Sequence, residues 1–124
     1  MAGEKILIVD DNPTNLKLVK VLLVKEGYAV QTAPDAEEAL KILTAFKPRM
    51  ILMDIQLPGM DGLELTRQLK AAPDTKDIVI LALTAYAMKG DDEKAKAAGC
   101  DGYITKPIDT QAFPAVIAGH LGAA

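Results

Sequence analysis

The chain has one cysteine, Cys100, and one histidine, His120. A single cysteine excludes a disulfide framework and a cysteine-based zinc site. A single histidine excludes a His-rich metal centre and any mechanism that needs several imidazoles. Basic residues are not in excess: 14 Lys and Arg stand against 17 Asp and Glu, for a net charge of −3. That gives no electrostatic footprint for nucleic acid and no polybasic signal for a membrane. No apolar run reaches membrane-spanning length. The opening residues, Met1 to Lys5, run straight into an apolar stretch, without the cationic-then-apolar order of a secretory signal. A soluble, cytoplasmic protein is expected. The 124 residues suit one domain, 1–124, and are too few for two. A domain of this size buries roughly two-thirds of its unfolded surface and needs no covalent staple.

What the sequence does contain is a set of apolar runs that end on acids. Met50-Ile51-Leu52-Met53 ends on Asp54, and the turn residues Pro58-Gly59 follow. A short, wholly apolar run reads as a strand buried on both faces. Charge is rarely tolerated inside such a strand, so the acid belongs at its carboxyl end. In open parallel α/β sheets that end is where ligands bind. Ile6-Leu7-Ile8-Val9 runs in the same way into Asp10-Asp11.

Between these runs lie helical signals. Asn12-Pro13 reads as an N-cap followed by proline at the first helical position, and Gly27 suits the left-handed position after a helix that ends near Glu26. Ala29–Ala33 is a second, weaker strand. Asp35, with Glu38 three residues on, begins a helix whose apolar set is Ala36, Ala39, Leu40 and Leu43. Pro48 precedes the third strand. Asp61-Gly62 leads a helix carrying Leu63, Leu65 and Leu69, which ends near Ala72-Pro73. Ile78–Leu83 is the fourth strand, and a helix from about Asp91 to Ala98 stops at Gly99. Tyr103-Ile104 is a short fifth strand, and Thr110 is expected to cap a last helix ending near Leu121. Strands alternating with helices five times imply a parallel sheet covered on both faces, with right-handed crossovers.

Asp10, Asp11 and Asp54 are predicted to converge at the carboxyl edge of that sheet. One like-charged pair at ~4 Å costs on the order of 4 kcal/mol at an effective dielectric near 20. A cation must offset this, and an all-oxygen ligand set points to a hard divalent ion, Mg2+. Thr84 follows the fourth strand and offers a hydroxyl, and Lys106 follows the fifth and offers a point charge. Taken singly, a strand-terminal Asp is usually a turn former or cap, and a lone Thr or Lys there is structural or solvated. Asp91-Asp92-Glu93 reads as a solvated helix start. The placement of five such residues at the same ends of four strands resembles a phosphoryl-transfer site, in which a carboxylate can serve as nucleophile.

The motifs Ile8-Val9-Asp10-Asp11-Asn12, Met53-Asp54-Ile55-Gln56-Leu57-Pro58-Gly59-Met60-Asp61-Gly62, Leu83-Thr84-Ala85 and Ile104-Thr105-Lys106-Pro107 stand in a specific order and spacing. Over essentially its whole length the chain resembles the receiver domain of two-component response regulators. The resemblance implies a doubly wound, flavodoxin-like α/β fold with five strands in the order 2-1-3-4-5 and five helices. It implies a switch that accepts a phosphoryl group from a histidine kinase or histidine phosphotransferase and then changes its binding to a downstream protein. Asp54 would be the phosphoacceptor. Asp10, Asp11, Asp54 and the backbone carbonyl of Gln56 would hold Mg2+, and Thr84 and Lys106 would contact the phosphoryl group. Tyr103 matches the switch aromatic, which turns inward as Thr84 moves and remodels the face of the fourth helix, fifth strand and fifth helix. On its own, Tyr103 reads as a half-buried aromatic. Only about 5–6% of X-Pro bonds are cis in folded proteins, yet the resemblance implies a cis Lys106–Pro107 bond that aims the lysine into the site.

Residues 84–91 look like stand-alone receivers of the DivK type and equally like receivers of hybrid histidine kinases. Nothing but Gly122-Ala123-Ala124 follows Leu121, so no output domain is expected, and the start at Met1 favours a natural single-domain regulator. A monomer is the default expectation. Pro114 lies about four residues into the last helix, which should start late or tilt. Val21 and Val24 fall among Lys17, Lys20 and Lys25, away from the core side of the first helix (Leu16, Val19, Leu22, Leu23). They are expected to be exposed and to form a docking face for the donor, with Pro107 and Ile108. Gln56 and Tyr86, two residues beyond Asp54 and Thr84, occupy positions that in receivers screen the attacking water, and slow hydrolysis is expected. Met50 and Met53 read as core filler, Cys100 as a small buried or half-buried residue beside the fifth strand, and His120 as a surface or C-terminal helix residue that favours the helix dipole. Other classes fit less well. A phosphorylation-independent interaction scaffold need not keep mutually repelling acids. A Mg2+-dependent small-molecule phosphatase would need a cap or lid. A flavodoxin-like cofactor domain would need a Ser-, Thr- and Gly-rich loop after the first strand.

Overall fold

The computed structural model describes residues 3–55, 62–84, 91–105 and 108–122. Five strands alternate with five helices: β1 Lys5–Val9, α1 Pro13–Lys25, β2 Ala29–Ala33, α2 Ala36–Leu43, β3 Met50–Asp54, α3 Gly62–Ala71, β4 Val79–Thr84, α4 Asp91–Ala98, β5 Gly102–Thr105 and α5 Phe113–Gly122. All strand pairs are parallel, in the order β2-β1-β3-β4-β5. The chain therefore winds outward in both directions from the boundary between β1 and β3, where the strand order reverses.

Local chemistry explains the helix ends. The Asn12 side chain accepts from the backbone N–H of Asn15 at 3.1 Å, with Pro13 inside the first turn. Asp35 does the same for Glu38 at 2.8 Å. Gly27 (φ 92°) and Gly99 (φ 105°) close α1 and α4 in the left-handed conformation. In each case the two N–H groups that follow fold back onto the last turn: Gly27 to Val24 and Tyr28 to Leu23, Gly99 to Lys96 and Cys100 to Ala95.

Side chains alternate across the sheet and build two cores. On one face Leu7, Val9, Ile51, Met53, Ile80 and Ala82 meet α2, α3 and α4 through Ala36, Ala39, Leu43, Leu65, Leu69 and Ala95. On the other, Ile6, Ile8, Met50, Leu52, Leu81 and Leu83 meet α1 and α5 through Val19, Leu23, Phe113, Ile117 and Leu121. A sheet buried on both faces is why these strands are continuously apolar.

Four expectations need correction. Leu40, named with the apolar set of α2, is partly exposed, because the buried stripe on this short helix is filled by Ala36, Ala39 and Leu43. Thr84 is the last residue of β4 and not the residue after it, and β4 starts at Val79 and not Ile78. Asp109, not Thr110, caps the approach to the last helix: its Oδ1 accepts from the N–H groups of Gln111 and Ala112 at 3.0 and 3.2 Å. A helix starting after Thr110 would drive the Pro114 ring into the Thr110 carbonyl. Instead α5 starts late, at Phe113, with Pro114 in its first turn, where a missing N–H is harmless. Finally, Ile108, expected on the donor-docking face, is buried in the core between the sheet and α1 and α5. His120 lies in the last turn of the C-terminal helix, as expected, and is half-buried against β5: a Cβ on Gly102 would lie 2.8 Å from its ring.

Candidate functional site

Strand register brings the acids together. Val9 pairs with Met53, so Asp10 and Asp54 come level at the carboxyl ends of β1 and β3. They also fall on the same side of the sheet, by alternation from Ile8 and Leu52. One carboxylate oxygen from each of Asp10, Asp11 and Asp54 lies within 4.8 Å of the other two. Asp10 and Asp54 are buried and Asp11 is exposed. Among the described residues, Asp10 and Asp54 are the only buried charged side chains. Two buried like charges beside a third oppose folding unless a cation or donors offset them.

Part of the offset is visible for Asp10. Its Oδ1 accepts from the backbone N–H of Asn12 at 2.9 Å, and its Oδ2 accepts from the side-chain amide of Asn15. Its own N–H still bonds across the sheet to the Ala33 carbonyl at 3.1 Å, so the residue is held as a continuation of β1. Beyond Asp54 the chain keeps sheet pairing for one more step, from the Ile55 N–H to the Leu83 carbonyl at 3.1 Å.

Thr84 is fully buried at the end of β4, one step beyond the Asp54–Leu83 pair, and it pairs with Thr105 at the end of β5. The site thus draws on the ends of β1, β3 and β4, with β5 adjoining. Tyr103 is half-buried on β5 and packs against the α2–α4 core. Gln56, Tyr86, Lys106, Pro107 and the Lys106–Pro107 peptide bond lie outside the described residues.

Two residues at the site were not foreseen. Asn15 reaches back five positions to Asp10. In sequence it is an unremarked polar residue of a helix's first turn, and its spacing from Asp10 was the available clue. Gly62 starts α3 so close to β3 that a Cβ there would sit 2.0 Å from the Asp54 backbone carbonyl oxygen. The Asp61-Gly62 pair signalled a helix start and nothing about this approach. Cys100, buried as expected, faces the Thr66 hydroxyl with sulfur and oxygen 4.0 Å apart, and burial raises its thiol pKa above the ordinary value. It takes no part in the acidic cluster.

A family model, "Response regulator receiver domain", matches residues 6–118. The chain belongs to this family. The receiver is 41% identical over 119 residues to the polar-differentiation response regulator DivK of Brucella anthropi, covering 96% of this chain and 97% of DivK. It is similar in structure to the receiver domain of a sensor histidine kinase from Pseudomonas aeruginosa, solved with a magnesium ion coordinated in its active-site cleft. That likeness has a TM-score of 0.87 at 34% identity and covers 98% of this chain and 99% of the other. The chemotaxis response regulator CheY4 of Vibrio cholerae superposes with a TM-score of 0.89 at 28% identity, over 96% and 99% of the two chains. The Asp10, Asp11, Asp54 cluster resembles the magnesium site of such receivers, and its all-oxygen donor set fits that ion. Among the described residues, no helix is long and apolar enough to cross a membrane.

Proposed function

We propose that this receiver is a phosphorylation-activated switch of a two-component phosphorelay, accepting a phosphoryl group from a phosphohistidine donor onto Asp54 in a Mg2+-dependent reaction. The observation that carries the reading is the buried Asp54 carboxylate, level with Asp10 at the point where the strand order reverses, with Asp11 within reach and Thr84 one strand over. A scaffold has no use for a buried, self-repelling acid cluster.

In this reading an Asp54 carboxylate oxygen attacks phosphorus. The P–N bond of the donor breaks, its electron pair stays on the imidazole, and a new O–P bond makes an aspartyl phosphate. Asp10, Asp11, Asp54 and the Gln56 carbonyl would hold Mg2+, which when bound offsets the charge of the carboxylates and of the incoming phosphoryl oxygens. The Thr84 hydroxyl and the Lys106 ammonium hold the phosphoryl group, with a cis Lys106–Pro107 bond aiming the lysine. Beyond this transfer and its own dephosphorylation the receiver has no enzymatic activity. Tyr86 screens the aspartyl phosphate from water and makes hydrolysis slow.

Tyr103 is the switch aromatic. It lines a cavity of about 60 Å3 with Ala95, Lys96 and Cys100, and a hollow of about 270 Å3 with Ile104, Phe113 and Val116. Space beside the ring in two directions suits a two-position side chain, which a new charge at Asp54 would bias through Thr84. The face of α4, β5 and α5 then changes its downstream partner. The donor docks on α1 through Val21 and Val24, which are 57% and 51% exposed among lysines, with Pro107 contributing. The receiver works as a cytoplasmic monomer, as one domain. Its likeness to DivK supports a stand-alone regulator over a hybrid-kinase module.

The test is intact mass after incubation with Mg2+ and acetyl phosphate, beside Asp54→Asn. One added phosphate on the parent alone, and only with Mg2+, supports the proposal. Failure to take up either phosphate or beryllofluoride while Mg2+ is bound would leave the scaffold as the better account.

A further inference from the structure

The acidic cluster is built with a closed ring of hydrogen bonds that the phosphoryl chemistry does not use. The Asn12 backbone N–H donates to Asp10 Oδ1 at 2.9 Å. The Asn12 side chain accepts from the Asn15 backbone N–H at 3.1 Å, which sets the first turn of α1. The Asn15 side-chain amide then donates to Asp10 Oδ2. The Asp10 carboxylate is thus held on both oxygens, one by main chain and one by side chain. An ionised carboxylate only accepts, so the amide nitrogen, not its oxygen, must face it.

We infer that Asn15 is a positioning residue of the metal site: it fixes the plane of the Asp10 carboxylate and so sets the affinity of the cluster for a divalent cation. The inference rests on the proposed Mg2+ reading of the cluster. Its logic lies in the residue type. Two donors take up two of the roughly four lone-pair sites of the carboxylate, so each oxygen keeps capacity for a further partner. A lysine or arginine at position 15 would orient Asp10 equally well but would cancel the charge that attracts the cation. An acid would add a fourth repelling carboxylate. A leucine would take one donor away from a buried, charged oxygen. A neutral amide orients the ligand and leaves the charge of the site intact. Groups that hold a metal ligand from behind in this way are worth about 10- to 100-fold in metal affinity.

The experiment is calorimetric titration of Mg2+ into the parent, Asn15→Leu, Asn15→Ser and Val19→Ala, together with phosphorylation rates by acetyl phosphate across a Mg2+ series. Leu removes the donor at similar size. Ser keeps a polar first turn but is too short to reach Asp10, and it serves if the Leu variant does not fold. Val19 is buried in α1 away from the cluster, so Val19→Ala destabilises the same helix without touching the ring. The expected result is a Mg2+ dissociation constant raised about tenfold by Leu or Ser and unchanged by Val19→Ala. The Mg2+ needed for half-maximal phosphorylation should rise to match, while the rate at saturating Mg2+ stays near that of the parent. A merely structural role would lower stability in all three variants and leave the dissociation constant alone. Parent-like Mg2+ affinity in both Asn15 variants would overturn the inference and leave the metal site standing. Absence of Mg2+ binding by the parent would overturn both.

Discussion

Gly62→Ala sets two physical effects against each other, and the structure decides the sign. Gly62 has no positive φ, so alanine is free to adopt its backbone conformation. Helix propensity favours alanine by up to about 1 kcal/mol. Against this, the new Cβ would lie 2.0 Å from the Asp54 carbonyl oxygen, 2.9 Å from the Asp54 carbonyl carbon and 2.9 Å from the Ile55 Cα. An ordinary carbon–oxygen contact is about 3.3 Å, so more than an ångström must open. All three atoms are main chain and cannot rotate aside. The start of α3 must therefore withdraw from β3 and loosen Leu65 and Leu69 in the core. Overpacking of this kind costs about 1–3 kcal/mol and sometimes more. The net expectation is a loss of about 1–2 kcal/mol, or about 4–8 °C in Tm. Urea unfolding would read it as a lower midpoint at unchanged slope. Gly119→Ala is the internal control, because a Cβ there meets nothing within 4 Å in the middle of α5. It should be neutral or stabilising. If Gly62→Ala proves as stable as Gly119→Ala, the close seating of α3 on the Asp54 backbone is wrong.

Mg2+ at about 100 times its dissociation constant should stabilise the parent by about 2.7 kcal/mol in thermal unfolding. Asp54→Asn removes one of three carboxylates lying within 4.8 Å of one another; the variant should be more stable than the parent without Mg2+ and gain less from it, and an equal gain would refute the ligand role. Val21→Glu with Val24→Glu should slow phosphoryl transfer from a histidine donor and leave transfer from acetyl phosphate unchanged, at a stability cost within about 0.5 kcal/mol since both sites are exposed. Equal loss with both phosphodonors would count against a donor-docking α1. Burial raises the Cys100 thiol pKa in the folded state, so the unfolded chain deprotonates first as pH rises. The contribution of Cys100 is therefore intact below the ordinary thiol range and is lost above about pH 8.5. Urea midpoints of the parent should fall relative to Cys100→Ala over that alkaline window, and parallel profiles would refute the burial of the thiol.

Much of this receiver is legible along the chain because the signals are local. A run of four apolar residues can only be a strand buried on both faces or part of a buried helix, and the acids, prolines and glycines at its ends choose between them. Asn12, Asp35, Gly27 and Gly99 act within one turn of themselves, so the sequence alone determined α1, the start of α2 and the end of α4 to within a residue or so. Asp10, Asp11 and Asp54 could be singled out for the same reason, since an acid closing an apolar run has few places to go. Competing local signals were harder to rank: Asp109 and Thr110 are both good caps, and Pro114 decided between them by excluding an earlier helix start.

Tertiary structure decided what depends on distance between elements. That Asp10 and Asp54 stand level follows from the register of β1 against β3, which two separate runs cannot announce. The burial of both acids depends on how the surrounding elements pack at that edge of the sheet. The seat of His120 on Gly102, the approach of Gly62 to the Asp54 carbonyl and the reach of Asn15 back to Asp10 arise only when helix is packed on strand. Periodicity specifies which face of an element turns inward. How close that face comes, and which polar atom it meets there, is set by the combined volume of the side chains between the layers, a property of the whole core.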